Sequence, residues 1–324
     1  LHLNNQDRPF DGGKYIDATL GTAGHALEII KKGGSGLGIE QDPKMLEVAY
    51  TRLKDACPTM NQKVHGFFKL VQGNFRDIKM IAGKTGFVPA NGILFDLGIS
   101  NIHFKSDDRG FSFENPEAPL DMRLDEFSQS ITAADLLNVL RQDQLYSLFE
   151  KVLNPKESKE LSGEIVKKRE ELKIETVGDF LEIAESIDAK GKLHPATRAF
   201  LALRIAVNSE LENLKDTLPN AFEILVRGGR LLVISFHSSE DAIVKNFFRQ
   251  SDDSGGAKIS EKPIHPSEEE VSINPRSRSA RRNTSTTGCT PRCPTGRSCA
   301  STECPRNGPG PTIGTCSTST PARS

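Results

Sequence analysis

The sequence predicts an α/β fold: a parallel sheet covered by helices on both faces, with an all-helical stretch inserted between two of its strands. Two observations predict the sheet. Apolar strand patterns alternate with helical patterns over residues 14–98, and the alternation resumes after residue 195. Such alternation requires right-handed crossovers between parallel strands. A third observation predicts the insertion: between residues 101 and 195 helical patterns follow one another with no strand pattern.

Each element has its own signal. Lys14–Gly21 is a short apolar run ending in a glycine turn, the first strand. In Thr22–Ile30 the spacing of Ala26, Leu27 and Ile30 is helical. Gly36–Glu40 reads as the second strand, and Asp42-Pro43 as an N-cap followed by proline at the first helical position. That helix continues through Met45, Leu46, Ala49 and Leu53. Phe67–Gly73 and Gly92–Gly98 read as the third and fourth strands. The fourth is apolar throughout its middle, as a strand buried on both faces must be. Residues 101–125 read as irregular, and helices are expected at Ala133–Leu140, Leu145–Leu153, Ser158–Lys168 and Val177–Ile187. Pro195–Leu225 leads into a fifth strand at Gly228–His237, and Ser238–Phe248 is a helix with acids in its first turn.

Composition sets limits. Hydrophobic residues make up 36% of the 324, close to the globular norm once the 27 glycines are added. No apolar run approaches the roughly 18 residues that span a bilayer, and no signal peptide opens the chain. No membrane is therefore expected. The net charge of −1 conceals two regions. Residues 281–324 hold six arginines, one acid and no lysine, a charge of +5, so the preceding 280 residues carry −6. The same tail holds Cys289, Cys293, Cys299, Cys304 and Cys316, at intervals of 4, 6, 5 and 12 that match no zinc knuckle. Its composition reads as disordered or as translation in a shifted frame. The body has one cysteine, Cys57, which fits a reducing, cytoplasmic setting. It contains no metal-ligand constellation.

The chemistry is expected beyond the carboxyl ends of the strands, where open α/β sheets bind ligands. Asp17-x-Thr-x-Gly-x-Ala-Gly-His25 is a glycine-bearing turn from strand to helix. It lets a ligand approach the backbone and receives a negative group at the helix N-terminus. Glu40 ends the second strand, where an acid accepts hydrogen bonds from ribose hydroxyls; Phe75 follows the third strand and can flank an adenine; Asp96 ends the fourth. Dinucleotide enzymes and S-adenosylmethionine enzymes share this pattern. The turn is not G-x-G-x-x-G, and Phe95-Asp-Leu-Gly-Ile-Ser100 puts a carboxylate where a sulfonium centre and a nucleophile would meet, which favours a methyltransferase.

These stretches together resemble the RsmH (MraW) family of S-adenosylmethionine-dependent ribosomal RNA cytosine-N4 methyltransferases. The resemblance rests on Asp17–Gly21 with Gly24-His25, Glu40–Pro43, Gly92–Ser100, Arg109–Phe113 with Pro119–Arg123, His194–Arg198 through Leu211, Gly228–Leu231 with Ser235–Ser238 and Glu240-Asp241, and Asn274–Ala280. They run in family order over about residues 14–280. The resemblance implies a Rossmann-like class I methyltransferase sheet at residues 1–104 and 196–280, and an inserted helical RNA-substrate domain at 105–195. It implies cofactor contacts at Ala23, Gly24, His25, Glu40, Phe75, Asp96 and His103. The implied substrate is a cytidine in the decoding region of small-subunit ribosomal RNA, within the assembled subunit. The chain departs from the family in four places: Ala23 where glycine is usual, Glu40 where aspartate is common, His103 where glutamine is common, and no last strand after residue 280.

Cytosine's amino nitrogen is a poor nucleophile because its lone pair is delocalised into the ring. The enzyme must align it and offer acceptors for its N–H groups. Asp96 is the expected acceptor, supported by the turn through Ser100. The target base must leave its stack. Phe111 and Phe113 could stack on it, although loop phenylalanines more often plug a seam. Arg109, Arg123, Arg198 and Arg204 could hold phosphates, Arg204 equally pairing with a buried acid. His194 either contacts RNA or caps a helix; His237 lines the cleft or braces a loop. Two other classes share parts of the pattern: a nicotinamide-dependent dehydrogenase, and a non-catalytic ribosome-assembly factor that kept the fold.

Overall fold

The computed structural model describes residues 13–56, 68–105, 108–187, 195–253, 258–259 and 312–313. The chain divides into two compact units, Leu1–Gly98 with Asn213–Ser324, and Ile99–Glu212.

The first unit is built on five parallel strands: β1 (Lys14–Asp17), β2 (Ser35–Glu40), β3 (Phe68–Gln72), β4 (Ala90–Asp96) and β5 (Leu225–Ile234). Their spatial order is β3-β2-β1-β4-β5, so the chain reverses direction across the sheet between β1 and β4. Strand alternation gives each face its own core. Leu37, Ile39, Ile93, Phe95, Leu231 and Val233 pack with Ile78, Ile81, Leu214, Leu218, Val244 and Phe248 from α3 (Ile78–Thr85), α10 (Glu210–Glu223) and α11 (Ser238–Asp253). Tyr15, Leu94, Leu232 and Ile234 face the other way, onto α1 (Gly24–Lys31) and α2 (Pro43–Ala56) through Ala26, Leu27, Ile30, Ala49 and Leu53. On that face β2 carries glycine. A Cβ at Gly38 would stand 2.6 Å from Leu20, and one at Gly36 would enter the Phe68 ring. Asp42 starts α2 as its sequence indicates, its Oδ1 accepting the Lys44 N–H at 2.7 Å.

All five expected strands are present. The helix α3 has no clear sequence signal, because Ile78-Lys-Met-Ile-Ala-Gly-Lys-Thr85 is short and carries a glycine within it. A two-residue pair, β6 (Lys258–Ile259) with β7 (Thr312–Ile313), runs parallel. The rest of the tail beyond 280 lies outside the described residues, as do Cys57 and His194.

The second unit is all-helical: α4 (Asn101–Lys105), α5 (Ala133–Val139), α6 (Gln142–Phe149), α7 (Pro155–Glu171), α8 (Val177–Ser186) and α9 (Pro195–Asn208). Three of these begin with reciprocal capping boxes: Thr132 with Asp135, Asn154 with Glu157, and Thr176 with Asp179. Its core joins Leu137, Phe149, Leu161, Ile165 and Phe180 to Ala199, Phe200 and Leu203. That last contribution corrects the expected boundaries. The sequence pattern places helix α9 in the sheet domain from residue 196, but its apolar face packs with α5–α8, so the division falls at 98/99 and 212/213. Residues 101–125 are also not wholly irregular, since α4 opens them. Among the described residues no helix is long and apolar enough to cross a membrane.

Candidate active site

Three carboxylates stand at the carboxyl ends of neighbouring strands: Asp17 on β1, Glu40 on β2 and Asp96 on β4. Alternation turns all three toward the face that carries α1, because Leu37 and Ile39, Ile16, and Phe95 point to the opposite core. The turn after β1 brings α1 down onto them. Ala23 heads this helix in the left-handed region, at φ 63°, and the Leu27 N–H bonds its carbonyl at 3.0 Å. His25, in the first turn, reaches Asp96 with Nε2 3.3 Å from Oδ2. Thr19 supports the same strand end, its Oγ1 accepting the Asp96 N–H at 2.6 Å.

The electrostatics are unusual. Asp17 is wholly buried, and that burial pushes its carboxyl up to about 6; the His25 charge works against the rise and the Asp96 charge adds to it. Burial lowers the His25 imidazole, but the bond to Asp96 and the charges of Asp96 and Asp17 outweigh it, so the net shift is upward. Asp17 Oδ2 and Asp96 Oδ1 are both buried without a hydrogen-bond partner. Buried acceptors are normally satisfied, so two orphans at the ends of the neighbouring strands β1 and β4 mark a place for a donor or cation.

Glu40 is held differently from the expectation. Its Oε2 accepts the Gly21 N–H at 2.8 Å and its Oε1 the Asp42 N–H at 2.9 Å, so the acid pins the glycine turn to the start of α2. Phe75 sits half-buried in a 3₁₀ turn, edge-on to Phe95 at 5.8 Å, its carbonyl accepting the Thr217 hydroxyl at 3.2 Å. Asn74 starts that turn, its Oδ1 accepting the Arg76 N–H at 2.8 Å. Ala23, Gly24, His25, Glu40, Phe75 and Asp96 thus all belong to the carboxyl-end region of the sheet unit. Asp17, the most perturbed carboxylate of that region, carries no assigned role in the sequence motif that contains it. Its signal is its position as the last residue of β1.

The remaining expected residues lie in the helical unit. Ser100 precedes α4, its Oγ accepting the Ile102 N–H at 3.3 Å and its carbonyl the His103 N–H at 3.0 Å. His103 is buried, its ring edge-on to Phe111 at 5.3 Å. Phe111 is itself a core residue, covered by Arg109 with its guanidinium carbon 5.3 Å from the ring centre. A ring so enclosed is not a stacking surface, which corrects the expectation for Phe111; Phe113 likewise packs on Phe200. The arginines are committed inside the unit. Arg109 Nη1 reaches the carbonyls of Arg123 and Leu124, at 3.4 and 3.3 Å. Arg123 forms a fork on Asp121, with Nε–Oδ1 and Nη2–Oδ2 both 2.7 Å. Arg198 forks onto the buried Glu157 at 2.9 and 2.6 Å, and Arg204 onto Glu210 at 2.8 and 2.9 Å. Arg109, Arg123 and Arg198, expected as phosphate contacts, each brace the helical unit. Composition cannot separate the two uses, because both need a planar cation.

The chain matches the profile of the MraW methylase family over residues 4–285. Ribosomal RNA small subunit methyltransferase H of Dictyoglomus thermophilum is 41% identical over 269 residues, covering 82% of this chain and 87% of the relative. The chain belongs to the MraW methylase family. The enzyme of the same name from Methylacidiphilum infernorum is 41% identical over 282 residues (83% and 86% of the two chains). That of Coprothermobacter proteolyticus is 38% identical over 275 residues (83% and 88%). The MraW match stops at residue 285, close to the compositional break, and leaves the cysteine-bearing tail outside it.

Proposed function

We propose that the protein transfers the methyl group of S-adenosylmethionine to the exocyclic N4 of a cytidine in the decoding region of small-subunit ribosomal RNA, presented by the assembled subunit in the cytoplasm. The relatives are named for small-subunit ribosomal RNA methylation, which supports the substrate class. One observation carries the cofactor: the two orphaned carboxylate oxygens, Asp17 Oδ2 and Asp96 Oδ1, with Glu40 on the adjacent strand.

That set selects by charge. Three carboxylates offset by one imidazole attract a sulfonium and an ammonium, and repel a pyrophosphate. A nicotinamide dinucleotide therefore fits poorly, and the dehydrogenase alternative loses its ground. Ala23, Gly24 and His25, at the first turn of α1, would receive the amino-acid end of the cofactor. Glu40 would read its ribose, Phe75 would flank its adenine, and His103 is proposed as a further contact. The bound cofactor supplies the electrophilic methyl; the protein does the rest. Asp96 offers Oδ1 as acceptor to the N4 amine and stabilises the charge that develops on nitrogen. His25 holds Oδ2 of the same carboxylate, fixing its orientation. Asp17, beneath them, adds negative potential without touching solvent.

The test is methyl transfer from labelled cofactor to small subunits taken from a strain lacking the modification, read by nucleoside analysis. N4-methylcytidine at one site is expected. Methylation on a ring carbon, or none, overturns the proposal. Failure to methylate with intact S-adenosylhomocysteine binding would favour the assembly-factor reading.

A further inference from the structure

We propose that the ring of Phe236 is the platform on which the target base stacks, an inference that rests on the proposed methyl transfer to a base. In β4 and β5, Asp96 pairs in register with Ile234, and the ladder continues through a bond from the Leu97 N–H to the Ile234 carbonyl at 3.0 Å. Two residues past the end of each strand come Gly98 and Phe236. They meet: a Cβ placed on Gly98 would lie 3.6 Å from Phe236 Cδ2. Leu94, Leu232 and Ile234 share the core of the α1 face. Phe236 thus leaves the sheet just beyond Ile234, which lies on the face that also carries Asp96.

The ring is not part of any core. Leu231 to Ile234 are at most 1% exposed, whereas Phe236 is 44% exposed. An open aromatic face at the carboxyl end of a strand beside Asp96 has a chemical use, because every base offers a π-face to stack on. The position is also built. Phe236 donates its N–H to Glu240 Oε2 at 2.8 Å, and Glu240 Oε1 lies 3.2 Å from His237 Nε2. Glu240 is itself buried, so a desolvated carboxylate at the head of α11 is spent on fixing this one turn. Gly98, at φ 91°, puts no side chain against the ring. Stacking does not tell bases apart; the choice of cytidine falls to acceptors such as Asp96. Phe236 thus supplies the sequence-tolerant part of recognition, the part Phe111 cannot supply from within its core.

The chain contains no tryptophan, which makes the test direct. Phe236→Trp creates a single-tryptophan protein. Titrating it, loaded with S-adenosylhomocysteine, with a short single-stranded RNA containing cytidine should quench its emission. Val88→Trp, at an exposed site ahead of β4 and so at the amino end of the sheet, should respond little. In turnover on unmethylated small subunits, Phe236→Ala should lower kcat/KM by roughly ten- to a hundredfold, with S-adenosylhomocysteine affinity unchanged, and Phe236→Tyr should restore most of it. An unquenched Phe236→Trp, quenching matched by Val88→Trp, or full kcat/KM in Phe236→Ala overturns the inference. Should Phe236→Ala not fold, the quench alone decides. If the wild type makes N4-methylcytidine while Phe236→Ala is unimpaired, the platform fails and the reaction stands. If the wild type makes none, the reaction fails, and the quench still reports whether bases stack at this ring.

Discussion

The two units differ in how they hold some of their charged side chains. In the helical unit three arginines are paired: Arg198 forks onto Glu157, Arg204 onto Glu210 and Arg123 onto Asp121. In the sheet unit the strand-end carboxylates are not. Asp17 Oδ2 and Asp96 Oδ1 are buried with no partner, and His25 serves only one oxygen of Asp96. Satisfied pairs hold a fold; unsatisfied buried groups are tolerated where a ligand completes them. The contrast locates the chemistry better than residue type does, since both units are rich in Asp, Glu and Arg.

The largest expected effect is at Asp96. Asp96→Ala removes the proposed acceptor for the N4 amine, and kcat should fall by about 10²–10⁴-fold. S-adenosylhomocysteine should bind more weakly but still measurably, because one proposed cofactor contact is lost while Glu40, Phe75 and the α1 turn remain. Turnover near wild type would mean that the orphaned oxygen is incidental and that the comparison between units has no functional content.

How far the sequence foretells this differs by feature. The sheet is legible because its strands are short apolar runs punctuated by glycine and proline, and Asp42-Pro43 is a local signal for a helix start. Helix α3 escapes because eight residues with an internal glycine give a weak period. Helix α9 falls in the wrong unit because its partners, α5–α8, are fixed by packing rather than by order along the chain. Among site residues, strand-end acids can be found from the motif. The fate of Arg198 cannot, since Glu157 lies 41 residues away and only the fold brings them together. Phe236 is invisible for the same reason: its exposure is set by what the fold packs around it.

The paired side of the comparison has its own break point. Arg198→Ala strands Glu157, which is 2% exposed, without its cation. Removing one partner of such a pair costs about 3–5 kcal/mol. Thermal unfolding should record that loss in the isolated protein. The same substitution should leave kcat of the folded fraction unchanged. Weakened subunit binding with undiminished stability would restore Arg198 as a phosphate contact.

Asp17 offers a smaller effect of the opposite sign. A carboxyl held near 6 instead of its usual 3.8 is about 2–3 kcal/mol worse off when ionised. Its contribution to stability is therefore present below about pH 4 and lost as the pH rises through about 6. Asp17→Asn removes the buried charge, so the variant should be more stable than wild type by about 2 kcal/mol at pH 7.5, with the gap closing toward pH 4. Cofactor should bind roughly ten- to a hundredfold more weakly. Denaturant unfolding at the two pH values checks the first half and calorimetric titration with S-adenosylhomocysteine the second. A variant less stable at pH 7.5 would show that the carboxylate is a structural group after all.

The smallest effect separates strain from packing within one helix. Ala23, wholly buried, holds φ 63° at the head of α1, a conformation that costs an L-residue about 1 kcal/mol. Ala26, equally buried one turn on, has ordinary helical geometry. Glycine at position 23 relieves the strain and gives back a similar amount in unfolded-state entropy. Ala23→Gly should therefore leave stability within about 1 kcal/mol of wild type. Ala26→Gly meets no strain to relieve and should cost about 1 kcal/mol for helix propensity alone, more for the lost packing. Equal losses in the two variants would mean that the methyl of Ala23 is held by its neighbours as firmly as that of Ala26. The turn would then be stabilised by the alanine rather than burdened by it.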